Sequence, residues 1–207
     1  MPDTLDASGL EAARRRLLRR DRRLAPVIRR VGPCGLRATG DPYRSLLRSV
    51  LHQQLAGAAA RAIEARLRAP HRGRYPAPAV LAAAGDAELK QAGLSRQKSE
   101  TVRAVAAAFA EGRLDARRLR RMSDDEVTAA VTEIRGIGEW TAHMLLMTCF
   151  ASPDVLPFGD YGVRKGAQRL YGLPDLPKRA QLEALAEPWR PYRSVAAWYL
   201  WRVMDDA

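Results

Sequence analysis

The stretch IRGIGEWTAHMLL, Ile134 to Leu146, places two glycines around Ile137 and then a tryptophan at the start of an apolar helical pattern. Asp124 to Thr132 also has helical spacing, so Glu133 to Gly138 reads as a very short turn between two helices. Gly136 and Gly138 permit positive φ and close backbone approach, Ile137 is expected to be pinned inside, and the second helix begins with its amides exposed. Those amides and the helix dipole favour an anion, a contact that reads no base sequence. A GxG between helices is equally what an ordinary tight turn shows.

Around this hairpin, alanine, leucine and arginine dominate at helical spacing and alternating β-branched runs are missing, which predicts an all-α protein. Glycine and proline divide the chain into helices from about Leu10 to Arg30, Tyr43 to Leu67 and Gln97 to Ala110. Shorter ones are expected near 124–132, 140–150, 161–170, 179–187 and 191–204. The 207 residues, 47% hydrophobic, can build one bilobal unit. Residues 45–160, with the hairpin at 124–150, are expected to form a central lobe, and 1–44 with 161–207 a second.

The formal net charge of +12 points to a polyanionic partner, because arginines gain affinity by releasing counterions from phosphates. Within RRRLLRRDRRLAPVIRR, Leu17, Leu18, Leu24, Val27 and Ile28 form one apolar side with arginines around it, which is also how a solvated helix face reads. No run approaches the roughly 20 apolar residues of a membrane span, and Asp3 and Asp6 leave no apolar signal core, so a cytoplasmic, nucleoid-associated protein is expected. Two cysteines, Cys34 and Cys149, and three histidines supply no close metal cluster.

Downstream, DVLPFGDYGVRKGAQRL sets Asp160 after an apolar turn and at the start of a helix. By itself this is an N-cap, with Arg164 four residues on as an ion-pair partner. The same placement keeps a carboxylate ionised, able to stabilise a nearby positive charge or to orient a water. Asp154 is the weaker candidate, exposed in the turn.

IRGIGEWTA resembles the hairpin of the helix–hairpin–helix DNA glycosylase superfamily: an apolar residue, usually proline, then GIG or GVG, two further residues, and TA or VA. Arg135 stands where proline is usual. In order, SLLRSVLHQQLAGAAA, GLSRQKSETVRAVAAAF, IRGIGEWTAHMLL, DVLPFGDYGVRKG and WRPYRSVAAWYLWR resemble the 3-methyladenine DNA glycosylase II, or AlkA, type from about Asp41 to Trp201. With about forty residues before Asp41, the amino-terminal β domain of longer members is expected to be missing.

The resemblance implies a two-lobed helical fold with its cleft between the lobes, and Asp160 as the catalytic acid about 20 residues after the hairpin. It makes Trp140 and Trp201 indole walls for an extruded base, with Met144 beside them, and assigns Arg135, Gly136, Ile137, Gly138 and Thr141 to the DNA-binding hairpin. Gln54 becomes the wedge that fills the gap left in the duplex, with Leu55 as an apolar substitute. A monovalent cation could sit on the backbone oxygens of Thr132, Ile134 and Ile137. Trp140 occupies the place of the lysine that strand-cleaving relatives use, so no Schiff base can form there and a monofunctional enzyme is expected. Iron–sulfur relatives need four clustered cysteines, which this chain lacks.

The expected partner is double-stranded DNA containing damaged bases, engaged by a monomer without cofactor. Alkylated bases fit best, because a cationic base departs with little protonation and no second carboxylate is paired with Asp160. A glycosylase for uracil, mismatched or oxidised bases, and a non-catalytic hairpin protein, are the competing readings. Trp189 and Trp198 are expected to be structural, and Arg193 to pair with a structural carboxylate.

Overall fold

The computed structural model describes residues 5–53, 55 and 57–203, which form helices and turns with no strand among them. In chain order the helices are α1 (Ala7–Arg20), α2 (Leu24–Val31), α3 (Pro42–His52), α4 (Gly57–Arg68), α5 (Pro78–Ala82), α6 (Asp86–Gln91) and α7 (Arg96–Ala110). They continue as α8 (Ala116–Leu119), α9 (Asp124–Thr132), α10 (Glu139–Leu145), α11 (Tyr161–Tyr171), α12 (Arg179–Ala186) and α13 (Arg193–Arg202).

Two helices expected to be single are each divided. Asp21 ends α1 and accepts from the amides of Arg23 and Leu24, both at 3.0 Å, so its carboxylate starts α2 instead of letting α1 run on. Similarly, the pattern read as one helix from Tyr43 to Leu67 breaks after His52 and resumes at Gly57. Helical spacing survives both breaks, which is why periodicity did not reveal them.

The chain forms two compact units, one spanning Thr39–Leu145 and the other combining the segment that ends at Ala38 with the one that begins at Leu146. In the first, α7 packs against α3, α5 and α6, while α3 also meets α4 and α10. Leu46, Leu47, Val50, Leu51, Val102, Val105 and Leu145 are fully buried there. Burial of each such leucine or valine contributes roughly 1.5–3 kcal/mol.

In the second unit α13 is the central helix, with buried residues from Ser194 through Leu200, and it packs on α1, α2 and α11. A helix apolar on every side belongs in an interior. Gly166 lets α11 approach it so closely that a Cβ there would collide with the backbone carbonyl of Leu200. Trp189 is fully buried and donates to Asp21 at 2.7 Å, and the Tyr171 hydroxyl donates to the same carboxylate. Cys34 is also buried, which pushes its thiol up to about 11 and away from reactivity.

Candidate active site

Asp160 begins α11 as its N-cap, and its Oδ1 accepts from the Val163 amide at 2.8 Å. The same oxygen accepts from Trp201 Nε1 at 2.9 Å, across 41 positions of sequence. An ionised carboxylate only accepts hydrogen bonds, so two N–H donors on one oxygen fix its rotation. Trp201 therefore touches the acid directly, a relation its expected role as a pocket wall did not include. The residue that makes room for it is Gly162: a Cβ there would lie 2.9 Å from Trp201 Cδ1 and 3.2 Å from Asp160 Oδ1. Tyr161, next to the acid, is 65% exposed.

The loop leading to Asp160 is held by the start of α13. Asp154, expected to be exposed in its turn, accepts from Arg193 Nε at 2.8 Å and from Arg190 Nη1 at 2.7 Å. Arg193 Nη2 also donates to the Asp154 carbonyl at 2.6 Å, which makes Arg193 the structural partner its sequence position suggested. Ser194, fully buried, accepts from the Val155 amide at 2.9 Å while its own amide donates to the Pro153 carbonyl at 3.0 Å. A serine offers no sequence signal for such a clamp; only its burial beside Asp154 reveals it.

In the other unit, α9 opens with a capping box in which Ser123 and Glu126 satisfy each other's amides. The turn that follows has Ile134 and Ile137 buried, at 4% and 5% exposure, as expected of a pinned hairpin. Gly136 has φ of +88°, and a Cβ on it would run into the Thr101 side chain. Gly138 differs from expectation: it is not among the residues of positive φ, and a Cβ there would meet nothing within 4 Å. Its carbonyl starts α10 by accepting from the Thr141 and Ala142 amides at 2.9 and 3.2 Å.

Arg135 is 86% exposed and lies 3.4 Å from Glu100, a surface pair that contributes little to stability. Thr141, expected among the DNA-facing residues, is instead 1% exposed, and its hydroxyl accepts from Gln53 Nε2 at 3.0 Å. It follows the hairpin by three positions in a helix whose inner face it occupies, so its side chain braces the protein interior. Trp140 is half-buried and Met144, one turn further along α10, is buried. Leu55 is 38% exposed, whereas Gln54, the expected wedge, lies outside the described residues.

Among the expected cation ligands, the Ile134 carbonyl accepts from the Ile137 amide at 3.0 Å. A carbonyl has a second lone pair, so this bond is compatible with a cation there. Among the described residues no group of three or more His, Cys, Asp or Glu could hold a metal ion, and no helix is long and apolar enough to cross a membrane.

Residues 47–191 match the family model described as HhH-GPD superfamily base excision DNA repair protein. DNA-3-methyladenine glycosylase 1 of Schizosaccharomyces pombe is 31% identical over 183 residues, covering 87% of this chain and 80% of the relative. The structure of the S. pombe 3-methyladenine DNA glycosylase Mag1 in complex with abasic DNA is similar with a TM-score of 0.87 and 30% identity, covering 92% of this chain and 95% of that one. DNA-3-methyladenine glycosidase from Bacillus halodurans gives a TM-score of 0.79 at 35% identity, with coverages of 92% and 88%.

Proposed function

Because the chain belongs to the HhH-GPD superfamily of base excision DNA repair proteins, we propose that it is a monofunctional DNA glycosylase that hydrolyses the N-glycosidic bond of alkylated bases, of the 3-methyladenine class, in duplex DNA. The observation that carries this reading is the Asp160 carboxylate at the mouth of α11, oriented by the Val163 amide and the Trp201 indole.

An alkylated base carries positive charge and leaves readily, so the demand on the protein is to stabilise the cation that forms on the deoxyribose and to direct water to it. A carboxylate about 4 Å from that charge, at an effective dielectric of ~20, contributes on the order of 4 kcal/mol, roughly a thousandfold in rate. Asp160 takes that role and positions the attacking water. Trp201, which holds Asp160, offers an aromatic face for a flipped base, where a cation gains ~1–2 kcal/mol once desolvated; Trp140, with Met144 one turn on in α10, is assigned the same kind of contact by the family resemblance. With tryptophan at position 140, no amine is supplied there for a Schiff base, and the product is an abasic site in an unbroken strand.

The hairpin amides after Gly136 and the Arg135 guanidinium bind the DNA backbone, with Gly138 leaving open space for a phosphate to come close. The carbonyls of Thr132, Ile134 and Ile137 would hold a monovalent cation, whose charge would strengthen the attraction for that phosphate. The protein acts as a monomer in the compartment that holds the chromosome, without an iron–sulfur cluster.

Duplexes each carrying one lesion, scored for free base and for strand breaks, test the proposal. Release of 3-methyladenine without nicking, lost by about a thousandfold in Asp160→Asn, is the expected result. Release of uracil but not 3-methyladenine, or an Asp160→Asn variant as active as the parent, would refute it.

A further inference from the structure

The start of α7 reaches two places at once. Ser95 caps the helix by accepting from the Lys98 amide at 3.3 Å, which sets Lys98 in the first turn. Its ammonium then donates to the Leu51 carbonyl at 2.7 Å and to the Gln53 carbonyl at 2.9 Å. Both belong to the end of α3, where a helix leaves its last carbonyls without internal partners and a positive charge is favoured. The other end of Gln53 is fixed as well, since its amide nitrogen donates to the buried Thr141 hydroxyl. One turn along α7, Thr101 fills the space under Gly136 and Glu100 pairs with Arg135. A stretch of four residues, 98 to 101, thus contacts both the hairpin and the carboxy-terminal end of α3.

We propose that Lys98 is a positioning residue for base extrusion: by clamping the Leu51 and Gln53 carbonyls it fixes where α3 ends, and so where the exposed Leu55 meets the duplex. The inference rests on the glycosylase reading above. Flipping a base sacrifices stacking and pairing, and a residue inserted in its place offsets that cost only if its backbone does not yield. Gln53 is anchored through both main chain and side chain, so Leu55, two positions on, is placed from a fixed point. Lys98 is itself partly exposed, and water can replace its ammonium at the two carbonyls without unfolding the helix. Its loss should therefore appear in the extrusion step, in proportion to how firmly the lesion is paired.

Single-turnover release of 3-methyladenine is measured for Lys98→Met on two duplexes, one with the lesion opposite thymine and one with it in an unpaired bulge, with 2-aminopurine beside the lesion reporting extrusion. The ratio of paired to unpaired rates is expected to fall about tenfold, and Lys98→Arg, which keeps the donors, to recover most of it. An unchanged ratio in a folded Lys98→Met, or an equal loss on both duplexes, overturns the proposal. Should Lys98→Met not fold, Lys98→Gln, whose amide donors carry no charge, is judged by the same ratio. Failure of the underlying reading looks different, because the wild-type protein would then release no base from either duplex.

Discussion

Replacing Gly162 by alanine separates the Asp160 carboxylate from its indole donor without altering either. The added Cβ would lie 2.9 Å from Trp201 Cδ1 and 3.3 Å from Nε1, whereas carbon atoms rest at about 3.5–4.0 Å. The indole must retreat by roughly 0.6 Å or more, which stretches the 2.9 Å bond to Asp160 to the limit of hydrogen bonding. A hydrogen bond to a charged acceptor contributes ~1.5–3 kcal/mol, and since ~1.4 kcal/mol is tenfold in rate, base release should slow by about 10- to 100-fold. Stability should change less: overpacking costs ~1–3 kcal/mol, offset by about 1 kcal/mol from the better helix propensity of alanine, for a net loss of about 0–2 kcal/mol and a Tm lower by at most a few degrees. Single-turnover excision from a duplex with one alkylated base, together with a thermal melt, measures both quantities. Trp201→Phe, which keeps a ring but removes the N–H, should show a comparable catalytic loss. If Gly162→Ala releases base within twofold of the parent, the indole does not position the acid and the reasoning fails.

The two hairpin glycines should separate in the same assays: Gly136→Ala, at φ +88° and against Thr101, should lose about 1–3 kcal/mol in a urea melt, while Gly138→Ala should stay within about 0.5 kcal/mol and weaken DNA binding in anisotropy. Asp154→Ala leaves Arg193, whose side chain is 19% exposed, without its carboxylate, and should cost about 2 kcal/mol with slower base release as the loop to Asp160 loosens. His52 has its pKa lowered by burial and by the charges of Arg48 on its own helix and Lys98 on α7, against the upward pull of Glu64 on α4. The unfolded chain then takes up the proton more readily, so this contribution to stability is complete above about pH 6.5 and is lost as pH falls below it. Urea midpoints from about pH 7.5 to 5.5 should fall in the parent and less in His52→Gln. DNA affinity should fall steeply with added salt and little with base sequence, as titrations at several ionic strengths would reveal.

The helical class was legible because apolar spacing survives in every long segment, and α9, from Asp124 to Thr132, appears where its helical spacing put it. What periodicity could not reveal was interruption: Asp21 ends a helix through side-chain bonds to amides, and α3 ends at His52 and α4 begins at Gly57 with the apolar rhythm undisturbed on either side. Asp160 could be read as an N-cap because a cap leaves a local mark. Its bond to Trp201 could not, since the indole reaches it only through the packing of α11 on α13, which depends on Gly162 and Gly166. The hairpin shows the same division. Its glycines were recognisable together, yet only the position of Thr101 separates the one that must be glycine for its conformation from the one that faces open space. Likewise Thr141 adjoins the recognisable motif but turns inward to Gln53, a partner 88 positions away.

Asp21 and Asp160 are near twins in construction. Each starts a helix by accepting from amides ahead of it, and each receives an indole N–H from the carboxy-terminal part of the chain, Trp189 for Asp21 and Trp201 for Asp160. Asp21, at 9% exposure, also takes the Tyr171 hydroxyl and serves as a rivet joining the start of α2 to the end of α11 and the buried indole. Asp160 uses the same fastening nearer the surface, beside a tyrosine open to solvent. A capping aspartate gripped by a tryptophan is therefore an all-purpose fitting in this chain, and depth below the surface separates the one that only joins from the one proposed to meet a substrate.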